Sequence, residues 1–290
     1  MGNKNSGSPI SQNIPILRNN NQSKHKCKCY HVTQPLTSIE TFKGTEYDWE
    51  LGSVVGTGGA TTVRMARKVG ETEFCYAFGM RSLTKYQIQA IKESSKLGIT
   101  PDLVDVGRMR PDPVREKAEQ DWIARGLPLG DEKTREKNRS YEIGIVTVLA
   151  ERELTLPLTN NESKQMYAIL NTLANVGIEH GDSGNVKNWL KCGDTVFLID
   201  FNFTSEAQDQ QDRGYWAGIF WHSLSEPQWN AYLRYMDGLP LTKRTLIYSL
   251  LQVRHEMRLP VDNFITQQLL SLLGPWKILA TPEAAPDFYK

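Results

Sequence analysis

His180-Gly181-Asp182-Ser183-Gly184-Asn185-Val186-Lys187-Asn188, followed shortly by Phe197-Leu198-Ile199-Asp200-Phe201-Asn202, decides how this chain is read. The first run follows a helix-like segment and is rich in small and polar residues, as a tight loop is. The second begins apolar and ends in a carboxylate. Thr195 to Phe201 reads as a short buried strand, whose apolar Phe197, Leu198 and Ile199 would hold Asp200 rigidly.

Working outward, Asn161 to Val176 predicts an amphipathic helix with Met166, Ile169, Leu170 and Leu173 on one side. Upstream, Glu50 to Val55, Thr61 to Lys68 and Phe74 to Leu83 read as three antiparallel strands, punctuated by glycine turns at 56–59 and 70. A helix is expected from Leu83 to Leu97, ending at Gly98. Two more strands are expected over Asp102 to Gly107 and Ile143 to Leu149, with a charged, helix-prone surface insert from Pro111 to Arg139 between them. Beyond Asp209, helices are expected near 211–222, 226–236, 242–258 and 262–273.

Gly56-Thr57-Gly58-Gly59-Ala60-Thr61-Thr62-Val63 joins the first two strands. A glycine-rich hairpin lets backbone N–H groups approach phosphate oxygens closely, and a plain tight turn has the same composition.

Together these runs resemble the protein-kinase superfamily over about residues 47 to 222. His180-Gly181-Asp182 stands where protein kinases carry H-R-D, and Asp200-Phe201-Asn202 where they carry D-F-G. The glycine run resembles their G-x-G-x-x-G loop, with Thr61 in the third glycine's place. The resemblance implies an α+β, bilobal fold: a five-stranded antiparallel N-lobe with one helix over 43–150, and a shortened, mostly helical C-lobe over 151–290. It implies a phosphotransferase that takes ATP with Mg2+ or Mn2+ and moves the γ-phosphate to a hydroxyl. Asp182 would then meet the acceptor, and Asp200 would hold the metal, with Asn188 or Asn185 as its second ligand. Gly56, Thr57, Gly58, Gly59, Ala60, Thr61, Val63 and Ala77 would surround the nucleotide. Leu149 to Glu151, after a strand resembling the kinase fifth strand, would meet adenine. Asp212-Arg213-Gly214-Tyr215-Trp216-Ala217-Gly218 resembles a spread form of the motif that anchors the catalytic loop.

The third strand departs from the family. The expected lysine position holds Gly79, and no lysine occurs between Lys68 and Lys85. Strand alternation puts Ala77, Gly79 and Arg81 on one face, so Arg81 is the candidate for the missing phosphate-binding charge. A bulge would bring position 81 into the usual slot. Glu93, or Gln89 one turn earlier, is the expected helix partner of that charge. Few residues separate Asp200 from Asp212, and no A-P-E motif follows, so regulation by loop phosphorylation is not expected. In these respects the chain resembles the short effector-type kinases that bacterial pathogens deliver into host cells, where the acceptor is a host protein. Small-molecule kinases of the aminoglycoside or choline type also carry His-Gly-Asp, and a pseudokinase would keep the fold without turnover. Nucleotidyl transfer is left open.

The 290 residues, 39% hydrophobic and 23% charged, have the composition of a soluble globular protein. The net charge of +1 gives no reason to expect a nucleic-acid partner. Residues 1–42 hold Lys4, Arg18, Lys24, Lys26 and Lys28 against Glu40 alone, and read as a disordered basic tail. Met1-Gly2-Asn3-Lys4-Asn5-Ser6 fits the N-myristoylation pattern at Gly2, which with the tail's charge suggests peripheral contact with the inner face of a plasma membrane. Cys27, Cys29 and His31 lack the second half that a zinc site needs. The four cysteines, Cys27, Cys29, Cys75 and Cys192, suggest a reducing compartment and free thiols.

Overall fold

The computed structural model describes residues 40–57, 61–126, 131, 139–206 and 224–281. Its first half is an antiparallel sheet of β1 (Glu40–Lys43), β2 (Asp48–Thr57), β3 (Thr62–Lys68), β4 (Tyr76–Thr84), β5 (Leu103–Val106), β6 (Arg110–Pro111) and β7 (Ser140–Val148). The order is β1-β2-β3-β4-β7-β5, with β6 also paired to β7. Seven strands replace the five expected. The additional β1 and β6 are short edge segments without the apolar alternation that marks a strand in sequence. The sheet therefore begins at Glu40, inside the segment read as tail.

The helix α1 (Lys85–Lys96) follows β4 directly. Thr84 and Gln87 form a capping box at its start, which satisfies two of the amides left open at a helix N-terminus. In the expected insert, α2 (Pro113–Ala124) is exposed along nearly its whole length, leaving Trp122 and Ile123 half exposed.

Past residue 150 the chain is mostly helical. α3 (Asn160–Asn175) buries Met166, Ile169, Leu170 and Leu173, the predicted stripe. Its capping-box Glu162 also meets Lys191 at 2.9 Å, a largely buried ion pair fastening the helix start to the hairpin beside it. That hairpin is β10 (Trp189–Cys192) and β11 (Thr195–Leu198), with β8 (Arg152–Glu153) on the far side of β10. β9 (Ile178–Glu179) pairs with β12 (Ser205–Glu206). The helices α4 (Glu226–Asp237), α5 (Leu241–Glu256) and α6 (Phe264–Leu272) match the expected spans to within a few residues. α5 is buried continuously from Thr245 to Arg254 and packs against α3 and α6. The helix expected at 211–222 and the motif at Asp212 lie outside the described residues. Among the described residues, no helix is long and apolar enough to cross a membrane.

The cysteines correct the expectation of free thiols. Cys75 and Cys192 are both disulfide-bonded. Distance along the chain says nothing about which cysteines a fold brings together, and these bonds remove the cysteine argument for a reducing compartment. Both sit beside the link between the two halves: Cys75 O accepts from Leu149 N, and Lys191 O accepts from Glu151 N.

The sheet is fixed at its outer end by one buried carboxylate. Asp105 Oδ1 accepts from the amides of Thr45, Glu46 and Val106, and its Oδ2 from Tyr47 N and the Trp49 indole. Burial alone would raise its pKa, but these donors outweigh burial and hold it below the usual carboxylate value. Asp105→Asn would turn an NH2 group on to existing donors. It should lower stability by about 2 kcal/mol at pH 7 in urea unfolding. Because the folded-state pKa is depressed, this stabilisation is present above about pH 4 and lost as pH falls through the folded value. The gap between wild type and variant should therefore narrow in acid.

Candidate active site

The two runs that opened the sequence meet around His180. This residue is 1% exposed, and its Nε2 donates to Ile199 O at 2.9 Å. Its Nδ1 accepts from Asp182 N at 3.3 Å, and its ring meets Phe201 edge-on at 4.8 Å. Only a neutral imidazole protonated on Nε2 satisfies both bonds. Burial accordingly pulls its pKa down to about 4, although Ile199 O and the charges of Asp182 and Asp200 favour the cation. One ring thus fixes the loop carrying Asp182 relative to the strand end carrying Asp200.

Asp182 is half-buried and faces Asn188, whose Nδ2 donates to Asp182 Oδ2 at 2.7 Å and to Asp182 O at 2.9 Å. That orientation leaves Asn188 Oδ1 for another partner. Asn185 instead turns its Oδ1 to Lys187 N and caps the turn at Val186–Asn188. Gly181 has φ +79°, and a side chain there would strike the carbonyl of Phe203.

Asp200 stands at the end of the apolar strand with φ 67° and ψ 64°, in the left-handed region. Its Oδ1 meets Arg81 Nη1 at 3.0 Å. Arg81 therefore does point inward from β4, but without a bulge. β4 pairs with β7 in unbroken register from Tyr76 opposite Val148 to Thr84 opposite Ser140. The length of arginine, without any shift of the strand, carries its charge to Asp200. Gly79 lies beside it: a Cβ there would be in ordinary contact with Arg81 Nε at 3.9 Å and tight against Thr61 Cγ2 at 3.2 Å.

The glycine run joins β2 to β3. Gly56 pairs with Val63 and Thr57 with Thr62, while Gly58, Gly59 and Ala60 lie outside the described residues. Val63 stands opposite Gly79, so Thr61, Val63, Gly79 and Arg81 gather at one place, with Ala77 two residues back along the strand.

No family model matches the chain, and no curated protein matches it.

One expected contact is not made. Glu93 lies on the outer side of α1, bound by Lys96 Nζ and Gln89 Nε2, and does not meet Arg81. The α1 residue that reaches the site is Gln87, whose Nε2 donates to Asn202 O. A capping residue one turn into the helix gives no sequence sign of this second role. At the link between the halves, the Leu149 and Glu151 amides are taken by Cys75 O and Lys191 O. Among the described residues no bond is made by the N–H of Ala150, which lies between them in the segment expected to meet adenine.

Asp200 and Asn188 supply carboxylate and amide oxygens, the hard donors that Mg2+ or Mn2+ takes. Asn202 Oδ1, in the same turn, is buried without a hydrogen-bond partner. Among the described residues no three His, Cys, Asp or Glu side chains cluster as a protein-only metal cage. The donor set therefore fits a divalent cation that takes its other ligands from phosphate and water.

His255 is also buried, its Nε2 bound to Leu279 O, and burial lowers its pKa to about 4. The ring C–H resonances of His180 and His255 should hold their neutral positions from pH 8 to 5, where an unperturbed histidine titrates near 6.5. With folded-state values depressed, the unfolded chain binds more protons below about pH 6.5. Stability should fall from there towards pH 4, which unfolding followed against pH would measure.

Proposed function

We propose that the chain is an ATP-dependent phosphotransferase of the protein-kinase-like type, moving the γ-phosphate to a hydroxyl group. The observation that carries this reading is a pair of aspartates with separate partners on either side of His180. Asp182 is oriented by an amide and pairs with no cationic side chain among the described residues, as suits a carboxylate that orients and accepts from a hydroxyl. Asp200 is paired with Arg81 from the sheet, as suits a place where phosphate and divalent charge meet.

In this reading the nucleotide lies under the β2–β3 turn, against Ala77, Val63 and Gly79, and the Ala150 N–H is the donor available to the base. Asp200 and Asn188 would hold Mg2+ or Mn2+, which neutralises phosphate charge when bound. Arg81 supplies the positive charge that a lysine at position 79 would otherwise give. The acceptor we favour is a hydroxyl on a host protein, reached from a membrane surface through an acylated Gly2. A non-turnover binding module is the second reading, because the guanidinium of Arg81 already pairs with Asp200 Oδ1.

Incubation with γ-labelled and α-labelled ATP separates these readings. Label from γ alone is the expected result, label from α would mean nucleotidyl transfer, and neither would leave the binding module. Asp200→Ala should reduce kcat more than about tenfold, since the loss of a transition-state charge clamp costs several kcal/mol. Asp182→Asn should reduce transfer by orders of magnitude with nucleotide affinity nearly unchanged.

Arg81 gives an independent test. Arg81→Ala should raise KM for ATP and lower kcat together, because its charge acts in both ground and transition states. With β4 in regular register, Arg81→Lys is too short to reach Asp200 and should behave like Arg81→Ala. Wild-type kinetics in Arg81→Ala would show that another group supplies the charge.

A further inference from the structure

One side chain of α5 holds the loop bearing Asp182 on both sides of that aspartate. Gln252, near the end of α5, is 6% exposed and lies against the loop across the buried face of that helix. Its Nε2 donates to Gly181 O at 2.9 Å. Its Oε1 accepts from Ser183 N at 3.1 Å and from Ser183 Oγ at 3.0 Å. The amide thus grips the residue before Asp182 and the residue after it.

The chemistry of these three bonds selects the residue type. Gly181 O can only accept and Ser183 N can only donate, so the partner must present a donor and an acceptor side by side. A carboxylate has no donor, a lysine or arginine no acceptor, and asparagine is one methylene shorter. The neighbouring geometry depends on the same approach. A Cβ at Gly184 would strike the Glu256 carboxyl and the Gln252 side chain, so glycine at 184 lets α5 come this close. Ser183 is fully buried and its carbonyl is taken by the Trp189 indole at 2.8 Å, which closes the loop from the other side.

We propose that Gln252 is a positioning residue of the transfer site, fixing the Cα–Cβ direction of Asp182 by pinning both peptide units beside it. This rests on the phosphotransferase reading of Asp182. The effect reaches the acceptor and not the nucleotide, because the bonds lie on the Asp182 loop and none reaches Arg81, Asp200 or the β2–β3 turn. Misplacement of a reacting group by a fraction of its hydrogen-bond reach lowers the rate without weakening the binding of the other substrate.

The test uses the full chain with Gln252→Met, which keeps the volume and removes both hydrogen-bonding functions. Gln252→Glu, which keeps the acceptor and removes the donor, is the second variant should the first not fold. Both should lower kcat by about tenfold or more while KM for ATP stays within about twofold. Ile265→Val, in the core of α6, serves as a control for general destabilisation and should leave kcat per folded molecule unchanged. Hydrogen exchange of the Ser183 amide, read without any substrate, should quicken by about tenfold or more in both Gln252 variants and not in the control. An unchanged kcat in the Gln252 variants, or unchanged Ser183 exchange, would overturn the proposal. A wild type that turns over no ATP would overturn the phosphotransferase reading alone, and the exchange measurement would still decide whether Gln252 holds the loop.

Discussion

The neutral imidazole of His180 is the joint on which the described site depends. Its two nitrogens bind one acceptor, Ile199 O, and one donor, Asp182 N. Protonation would set an N–H against the Asp182 amide, so the bonding pattern itself excludes the cation, and burial adds to that exclusion. Because Ile199 precedes Asp200 and the ring also braces Phe201, the imidazole sets the spacing of the two aspartates through the backbone. A joint made of backbone bonds is stiff in a way that direct side-chain contact between two like charges is not.

The two halves are tied through the segment that follows. Arg81 reaches Asp200, Gln87 reaches Asn202 O, and Tyr86 Oη donates to Ser205 O at 3.2 Å. All three donors lie on β4 or the first turn of α1, which are continuous with each other. The end of β4 therefore acts as one rigid bracket on residues 200 to 205. Gly79, paired in the sheet with Val63 and Ile145, lies beside the arginine side chain.

The sequence made the sheet strands legible where apolar residues alternate, and α3 legible where they recur at helical spacing. Segments too short to show a period, β1, β6, β8, β9 and β12, were not legible, because their pairing is set by what the fold brings beside them. The local parts of the site, Asp182, Asp200 and the inward face of Arg81, follow from order and alternation. Its long-range partners do not: Gln252 lies about 70 residues beyond the loop it holds, and a glutamine in a helix reads as ordinary surface. The Glu93 expectation failed for a related reason. Helical periodicity tells which residues share a face but not which face the sheet covers, and Glu93 lies on the outer one.

The different partners of the two aspartates give the site its polarity. An amide orients Asp182, and among the described residues no cationic side chain pairs with it. A guanidinium compensates Asp200, and one with several donors can turn part of its fork to a phosphate without leaving the carboxylate. An anionic ligand would therefore be drawn to the Arg81 side and repelled from the Asp182 side, where Glu256 adds a second negative group. Burial and the charge of Asp182 both raise the Glu256 pKa against the opposing bond from Gln252, which places that carboxyl in the same field. The two aspartates thus stand in opposite electrostatic surroundings, and the backbone joint at His180 keeps those surroundings at a fixed separation.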